Sequence, residues 1–302
     1  MIRVLIIVLY LLGAAVVGAQ PFFEGAAGNS SILLPLGGVV RLNTADNSLK
    51  LGYYYQRSDQ DLVFGLDASG KSYGGFASLW SDDKLSTAAK VNFNVGFKNV
   101  TTSDDKPDRF DYLSVRIGFG ASKYLMINPD AEYAQQVYYE TFNPFSLGVA
   151  YNYLLNGNMI FGLYGSYDKT TNLGTLPQLT VKETTGLGIN AANTTYRTSE
   201  TEYSAWAGEL KRVNQFSLYL DYVYIPDLLE GRLALSCYSR SSFNAEQTLT
   251  NGGFGLYLNQ KDHPLKIVGG IIYEFHDLWD GGNSGSSLSE RGTLGLVAGY
   301  HF

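Results

Sequence analysis

A period-two alternation of apolar and polar residues recurs from Leu49 to the last residue, and it restricts the chain more than any other feature. Leu49, Leu51, Tyr53 and Tyr55 share one parity, as do Val91, Phe93, Val95 and Phe97, and then Leu113, Val115, Ile117 and Phe119. Successive side chains of a strand point to opposite faces, so each run reads as a strand with one apolar face. The pattern returns at Leu62–Leu66, Phe145–Tyr153, Met159–Tyr167, Phe216–Tyr224, Leu233–Cys237, Phe254–Leu258, Leu265–Phe275 and the terminal RGTLGLVAGYHF, with a poorer run at Tyr73–Trp80. That gives about twelve strands, or about ten to fourteen if the weak places are read either way, each near the ~10 residues of a tilted strand crossing a bilayer.

Charge follows the same alternation. The apolar parity of these spans carries none, while the other carries Lys50, Asp61, Lys90, Lys98, Arg116, Asp168, Asp221, Arg232, Arg240, Lys266 and Glu274. A cation on the lipid face of a membrane barrel costs roughly 2–4 kcal/mol at mid-bilayer, so a bilayer enforces this separation. If the last strand runs down to the periplasm, most lower connections are short: Ala68–Lys71, Asn156-Gly157-Asn158, Pro226–Gly231 and Gln260–Pro264, with Val100–Asp108 the exception. The longest ones, Ala121–Asn143, Lys169–Asn214 and Asp277–Glu290, then lie outside, and a tight connection near Ser58 joins them. Tyrosines and phenylalanines fall at both ends of the apolar face: Tyr151, Tyr153, Tyr222 and Tyr224 below, Tyr53, Tyr55, Tyr167 and Tyr273 above. A secreted β-sandwich also alternates, but it has no reason to place aromatics at both ends of one face. The fold expected is therefore all-β, a transmembrane antiparallel up-and-down barrel.

The beginning of the chain is different in kind. Met1–Ala19 reads as a secretory leader: Arg3, an apolar run Val4–Leu12, and Val17 and Ala19 at the positions where small residues permit cleavage. The expected division is residues 1–19 as leader, 20–46 as a periplasmic or plug segment, and 47–302 as barrel. The segment 20–46 holds Phe22-Phe23 and the apolar Ile32–Leu36; Pro35 and Gly37-Gly38 argue against strand there. The chain is acidic, with net charge −6 and no basic stripe, which speaks against nucleic acid as a partner. Its single cysteine, Cys237, excludes a disulfide framework.

The ending GLVAGYHF, with Leu296, Ala298, Tyr300 and Phe302 alternating up to a terminal aromatic, resembles the C-terminal signal of bacterial outer-membrane β-barrel proteins, the porin-like superfamily. The resemblance implies Gram-negative origin, the outer membrane as destination, its lipids as surroundings and the barrel-assembly machinery as a partner. It leaves the activity open, because many activities share this fold.

Enzymatic chemistry has little to stand on. Only His263, His276 and His301 occur, at different heights of the barrel, and neither an H-E-x-x-H nor a paired-cysteine motif is present. His276 beside Asp277, with Glu274 on the same face, is the one candidate constellation. No catalytic residue, metal site or cofactor is expected. The inward parity is more telling. Gly118, Gly120, Gly148, Gly162, Gly253, Gly255, Gly270, Gly295 and Gly299 face inward with Ala150, as though leaving room for water or a plug. Arg116 and Asp221 are placed near mid-height, with Glu274, Lys266, Arg232 and Arg240 as further lumen or constriction candidates, each also able simply to pair with a neighbour. The expected function is a narrow channel for small polar solutes with a weak anion preference from the inward cations. Two alternatives stand beside it: a closed structural or surface-binding barrel without conductance, and a plugged transporter of hydrophobic molecules.

Overall fold

A computed structural model of the chain describes residues 30–32, 38–44, 47–56, 61–72, 87–103, 106–132, 135–185, 199–245, 247–260, 263–281 and 285–301. Twelve strands close into an antiparallel ring. In ring order they are β1 (Gly38–Asn43), β2 (Ser48–Gln56), β3 (Leu62–Ser72), β4 (Thr87–Ser103), β5 (Lys106–Ile127), β7 (Phe145–Leu155), β8 (Met159–Thr171), β11 (Arg212–Tyr224), β12 (Leu233–Phe243), β13 (Thr248–Gln260), β14 (His263–Phe275) and β15 (Gly292–His301). The seam joins the first strand to the last, with Val40 opposite Tyr300 and Leu42 opposite Ala298. Closure leaves the ring itself without an open edge, which only a barrel achieves.

The alternation builds a two-faced wall. Phe93, Phe216 and Leu294 are 53%, 60% and 68% exposed on the outside, and Leu66, Val95, Val115, Leu147, Leu163, Leu220, Leu256 and Ile271 continue the belt. A contiguous apolar surface of that extent far exceeds the few hundred Å² usual on a water-soluble monomer. The opposite parity is buried: Tyr54, Tyr112, Tyr164, Tyr257, Val63, Ile160, Val223 and Ile272 pack inside together with the polar groups described below.

Several sequence expectations need correction. β1 lies within the segment set apart as 20–46, because Val40 and Leu42 alternate with Arg41 and Asn43 once Pro35 and Gly37 are past. The barrel thus begins at Gly38 rather than at 47. The added strand reverses its neighbours: β2 runs toward the end that carries Asn156-Gly157-Asn158, and β3 runs away from it. The connection near Ser58 therefore belongs to that short-turn end, as do Tyr53 and Tyr55. Ala68–Lys71 is no turn but part of β3, paired with β2 and β4. The run Tyr73–Trp80 lies outside the described residues, as do the leader and Phe22-Phe23. Val100–Asp108 is largely strand, since β4 and β5 pair as far as Ser103 opposite Lys106.

The long connections at the other end are built, not loose. β5 continues to pair with β6 (Val137–Phe142), and β9 (Gln178–Thr185) forms a hairpin with β10 (Ser199–Ala207). β10 lies parallel to the tip of β5, Trp206 opposite Met126. Tyr124, Met126, Phe142, Leu173 and Trp206 form a second small core there.

Candidate functional site: the barrel lumen

Inward glycines are expected to leave space; at Gly148, Gly253, Gly255 and Gly270 what they leave is seats for tyrosines, while Gly118 is flanked by Asn92 and Ser146 and Gly120 by Pro144. A Cβ added to Gly96 would stand 2.6 Å from the Tyr112 ring, and one on Gly148 would stand 2.6 Å from Tyr164 Cε2. Gly65 lies under Tyr54, Gly253 under Tyr238, and Gly255 and Gly270 on either side of Tyr257. Rings laid over strand glycines recover apolar burial that glycine itself cannot supply, and they fix the cross-strand register. Gly162 is different. Its neighbours are Ser31 and Ile32, from the segment that precedes β1.

That segment is fastened inside the barrel. Ser31 N–H donates to Asp221 Oδ2 at 2.7 Å, Ser31 Oγ–H donates to the same oxygen, and Asn152 Nδ2 donates to Ser31 O at 2.6 Å. Ile32 is 1% exposed and belongs to the main core. Asp221 turns its other oxygen to Arg240, whose NH2 stands 2.5 Å away. Arg240 also donates to Leu220 O and Ser239 O at 2.9 Å and lies over the Tyr238 and Tyr219 rings. A buried ion pair holds only when its remaining lone pairs and protons are used in this way.

A second network centres on Asp67, fully buried. It accepts from Asn92 Nδ2 at 2.6 Å, Asn94 Nδ2 at 3.0 Å and Arg116 NH2 at 3.3 Å, with Lys50 Nζ at 3.7 Å. Arg41 lies directly opposite Lys50 in the β1–β2 pair. The cations Arg41, Lys50, Lys90 and Arg116 therefore line one side of the lumen around a single carboxylate. Across from them stand Asp168, Asp221 and Glu274. Asp168 accepts from Ser166 Oγ at 2.6 Å. Glu274 accepts from Tyr238 Oη at 2.9 Å and Asn251 Nδ2 at 3.1 Å. The two walls carry opposite excess charge.

The structure thus places Arg116, Asp221, Arg240 and Glu274 inside, though Arg116 and Asp221 do not pair with each other. Arg232 sits in the short turn after β11 beside Glu230, 45% exposed, away from the lumen's middle. The side chain of Lys266 lies outside the described residues. The sequence reading missed Asp67, which falls between the run Leu62–Leu66 and the expected turn Ala68–Lys71, and Arg41, which falls in the segment set apart as a tail. In the assembly-signal stretch, Leu296 and Ala298 face outward on β15; the side chains of Tyr300 and Phe302 lie outside the described residues.

His276 bridges Glu274 and Thr293 instead of meeting Asp277. Its Nε2 is 2.8 Å from Thr293 Oγ1, and its Nδ1 is 3.3 Å from Glu274 and 3.4 Å from the Asn251 amide nitrogen. Asn251 Oδ1 accepts the Asp277 N–H at 2.9 Å, which turns its NH₂ toward Nδ1. The cluster braces the outer end of β14. A groove of about 660 Å³ lies elsewhere, on the outward face around Cys237 and Gly252, walled by Phe161, Tyr222, Phe254 and Leu278.

No family model and no curated protein matches the chain. Among solved structures, the porin NanC matches with a TM-score of 0.36 and 9% identity, covering 87% of this chain and 96% of that one.

Proposed function

We propose that this chain is a narrow outer-membrane channel for small polar solutes, occluded in the present conformation by Ser30–Ile32. One observation carries the reading: a closed twelve-strand wall that is apolar outside and lined inside by charged and amide side chains. A bilayer satisfies the first face and water the second. The leader and the C-terminal alternation fit delivery to the outer membrane. The strap across Asn152, Gly162 and Asp221 favours an occluded resting state over a permanently open pore.

The test leaves the wall untouched. Ser31→Pro removes both donors to Asp221, charge-assisted bonds each worth about 1.5–3 kcal/mol. Single-channel recording of the mature protein in a planar bilayer is expected to show rare openings, made at least about tenfold more frequent by S31P. Silence from both proteins, shown to be folded, would defeat the channel reading and favour a closed structural or surface-binding barrel.

A further inference from the structure

The outward wall is not evenly convex. On β12 the outward positions Cys237 and Ser239 are small, while the strands on either side carry bulk. Tyr222 of β11 lies opposite Cys237 and Leu220 opposite Ser239, and on the other side Phe254 of β13 lies opposite Cys237. Phe161 packs on Tyr222 with ring centroids 4.9 Å apart and raises that side further. The low ground between them is the outward groove of about 660 Å³. It also has an overhang. Gly252, opposite Ser239, has outward parity and is nevertheless buried, because Leu278 from the connection after β14 lies over it. A Cβ on Gly252 would stand 2.7 Å from Leu278 Cδ1. Leu288, from the same connection, joins the rim.

The overhang is fixed in place. Leu278 N–H donates to Thr250 O at 2.6 Å, Gly281 N–H donates to Asp277 Oδ1 at 2.9 Å, and Arg291 NH1 donates to Asp277 O. Asp277 and Asp280 hold positive φ, 48° and 54°, a conformation that Asp tolerates, and the tight turn between them sets Leu278 against the wall. A recess lined almost wholly by carbon offers a polar guest little in exchange for its water. A second barrel presents a convex wall, which meets the rim and not the floor. The groove is continuous with Leu163, Leu220 and Phe254 of the apolar belt, the surface that the channel reading sets against hydrocarbon. The guest that fits this place is slender, flexible and apolar along its length.

We infer that this groove is a binding site for one acyl chain of a bilayer phospholipid, which lies along Cys237 and Ser239 between Tyr222 and Phe254, with Leu278 and Leu288 closing over it. The inference rests on the bilayer placement within the channel reading and not on conduction, and it names a lipid partner for one particular place on the belt.

Dimyristoyl phosphatidylcholine is the probe, because its head carries no net charge and retention then reports the chain. Native mass spectrometry of the refolded mature protein, released from detergent micelles that contain this lipid, is expected to show one lipid held at a collision energy that strips the rest. Dihexanoyl phosphatidylcholine, with the same head and short chains, should be held at least about tenfold less. Ser239→Phe fills the groove and Leu278→Ala opens its rim, and each should lower retention by about tenfold or more. Val95→Phe, on the outward face of β4, should leave it unchanged. Folding of each variant is checked by heat-dependent mobility on a gel, and L278A carries the test if S239F does not fold. No lipid held by the folded parent, equal retention of the two lipids, retention unchanged in either folded groove variant, or a paired-chain mass in place of the lipid adduct would overturn the site. A held lipid together with electrical silence would overturn only the channel, and no held lipid in a conducting protein only the site. Free reaction of Cys237 with a charged maleimide in liposomes would instead overturn the bilayer placement itself.

Discussion

Gly148 and Gly165 occupy adjacent strands and meet opposite surroundings. The first lies beneath the Tyr164 ring inside the barrel; the second faces outward with nothing within 4 Å of an added Cβ. Gly148→Val is therefore expected to destabilise the barrel by about 1–3 kcal/mol through overpacking, while Gly165→Val stays within about 0.5 kcal/mol. Urea unfolding of the two variants in the same micelles measures the difference. A glycine's parity can be read from one strand, but the ring that covers it belongs to another, so the sequence suggested empty space where tyrosines lie. The charged residues divide in the same way. Arg116, Asp221 and Glu274 stand on clean alternating runs, and their inward direction was legible. Asp67 stands before Ala68–Lys71, where Gly70 imitated a turn, and was not.

Among the elements, β1 carries the largest correction and the sharpest test. Six residues, of which Val39, Val40 and Leu42 are apolar and two of those adjacent, give a weak period, and the preceding Pro35 and Gly37 obscure it further. Pairing reveals what propensity does not: β1 is bonded on both sides, to β2 and to β15. Deleting residues 20–36 removes the strap and spares the ring, and should leave a barrel that keeps heat-dependent gel mobility and conducts more. Deleting 20–46 removes β1 and leaves two edges that must rejoin across a missing strand, so that chain should fail to fold. If the longer deletion folded as well as the shorter, the seam assignment would be wrong. The extra strands β6, β9 and β10 were unreadable for a related reason, since polar runs such as Gln178–Thr185 become strands only when a hairpin partner is present.

Viewed as a whole, the molecule turns an apolar face outward and a charged face inward, and Cys237 reports on the first. The single cysteine is exposed on the outward face of β12, between Leu235 and Ser239. In liposomes it should resist a charged, water-soluble maleimide yet react with an apolar one. A fluorophore attached there should be quenched by brominated lipid tails and not by iodide. Equal labelling by both reagents would mean that the belt is not in the bilayer. Face segregation and the contrast of short turns with long loops came through the sequence at this scale, because the same inside–outside alternation governs every strand; the number twelve is reached only with β1, which the sequence reading placed in the tail.

The strap adds a consequence of connectivity. Only five residues separate Ile32 from Gly38, so Ser31 is tethered within reach of Asp221 and meets it at an effective concentration in the millimolar range or above. The attachment of the strap is then a property of each molecule, unaffected by dilution or by expression level. A free peptide of the same sequence, added at micromolar concentration, cannot compete for the position. On the channel reading, an agent that opens the barrel must act on the tethered equilibrium itself, by engaging the segment or by displacing it with solute in the lumen.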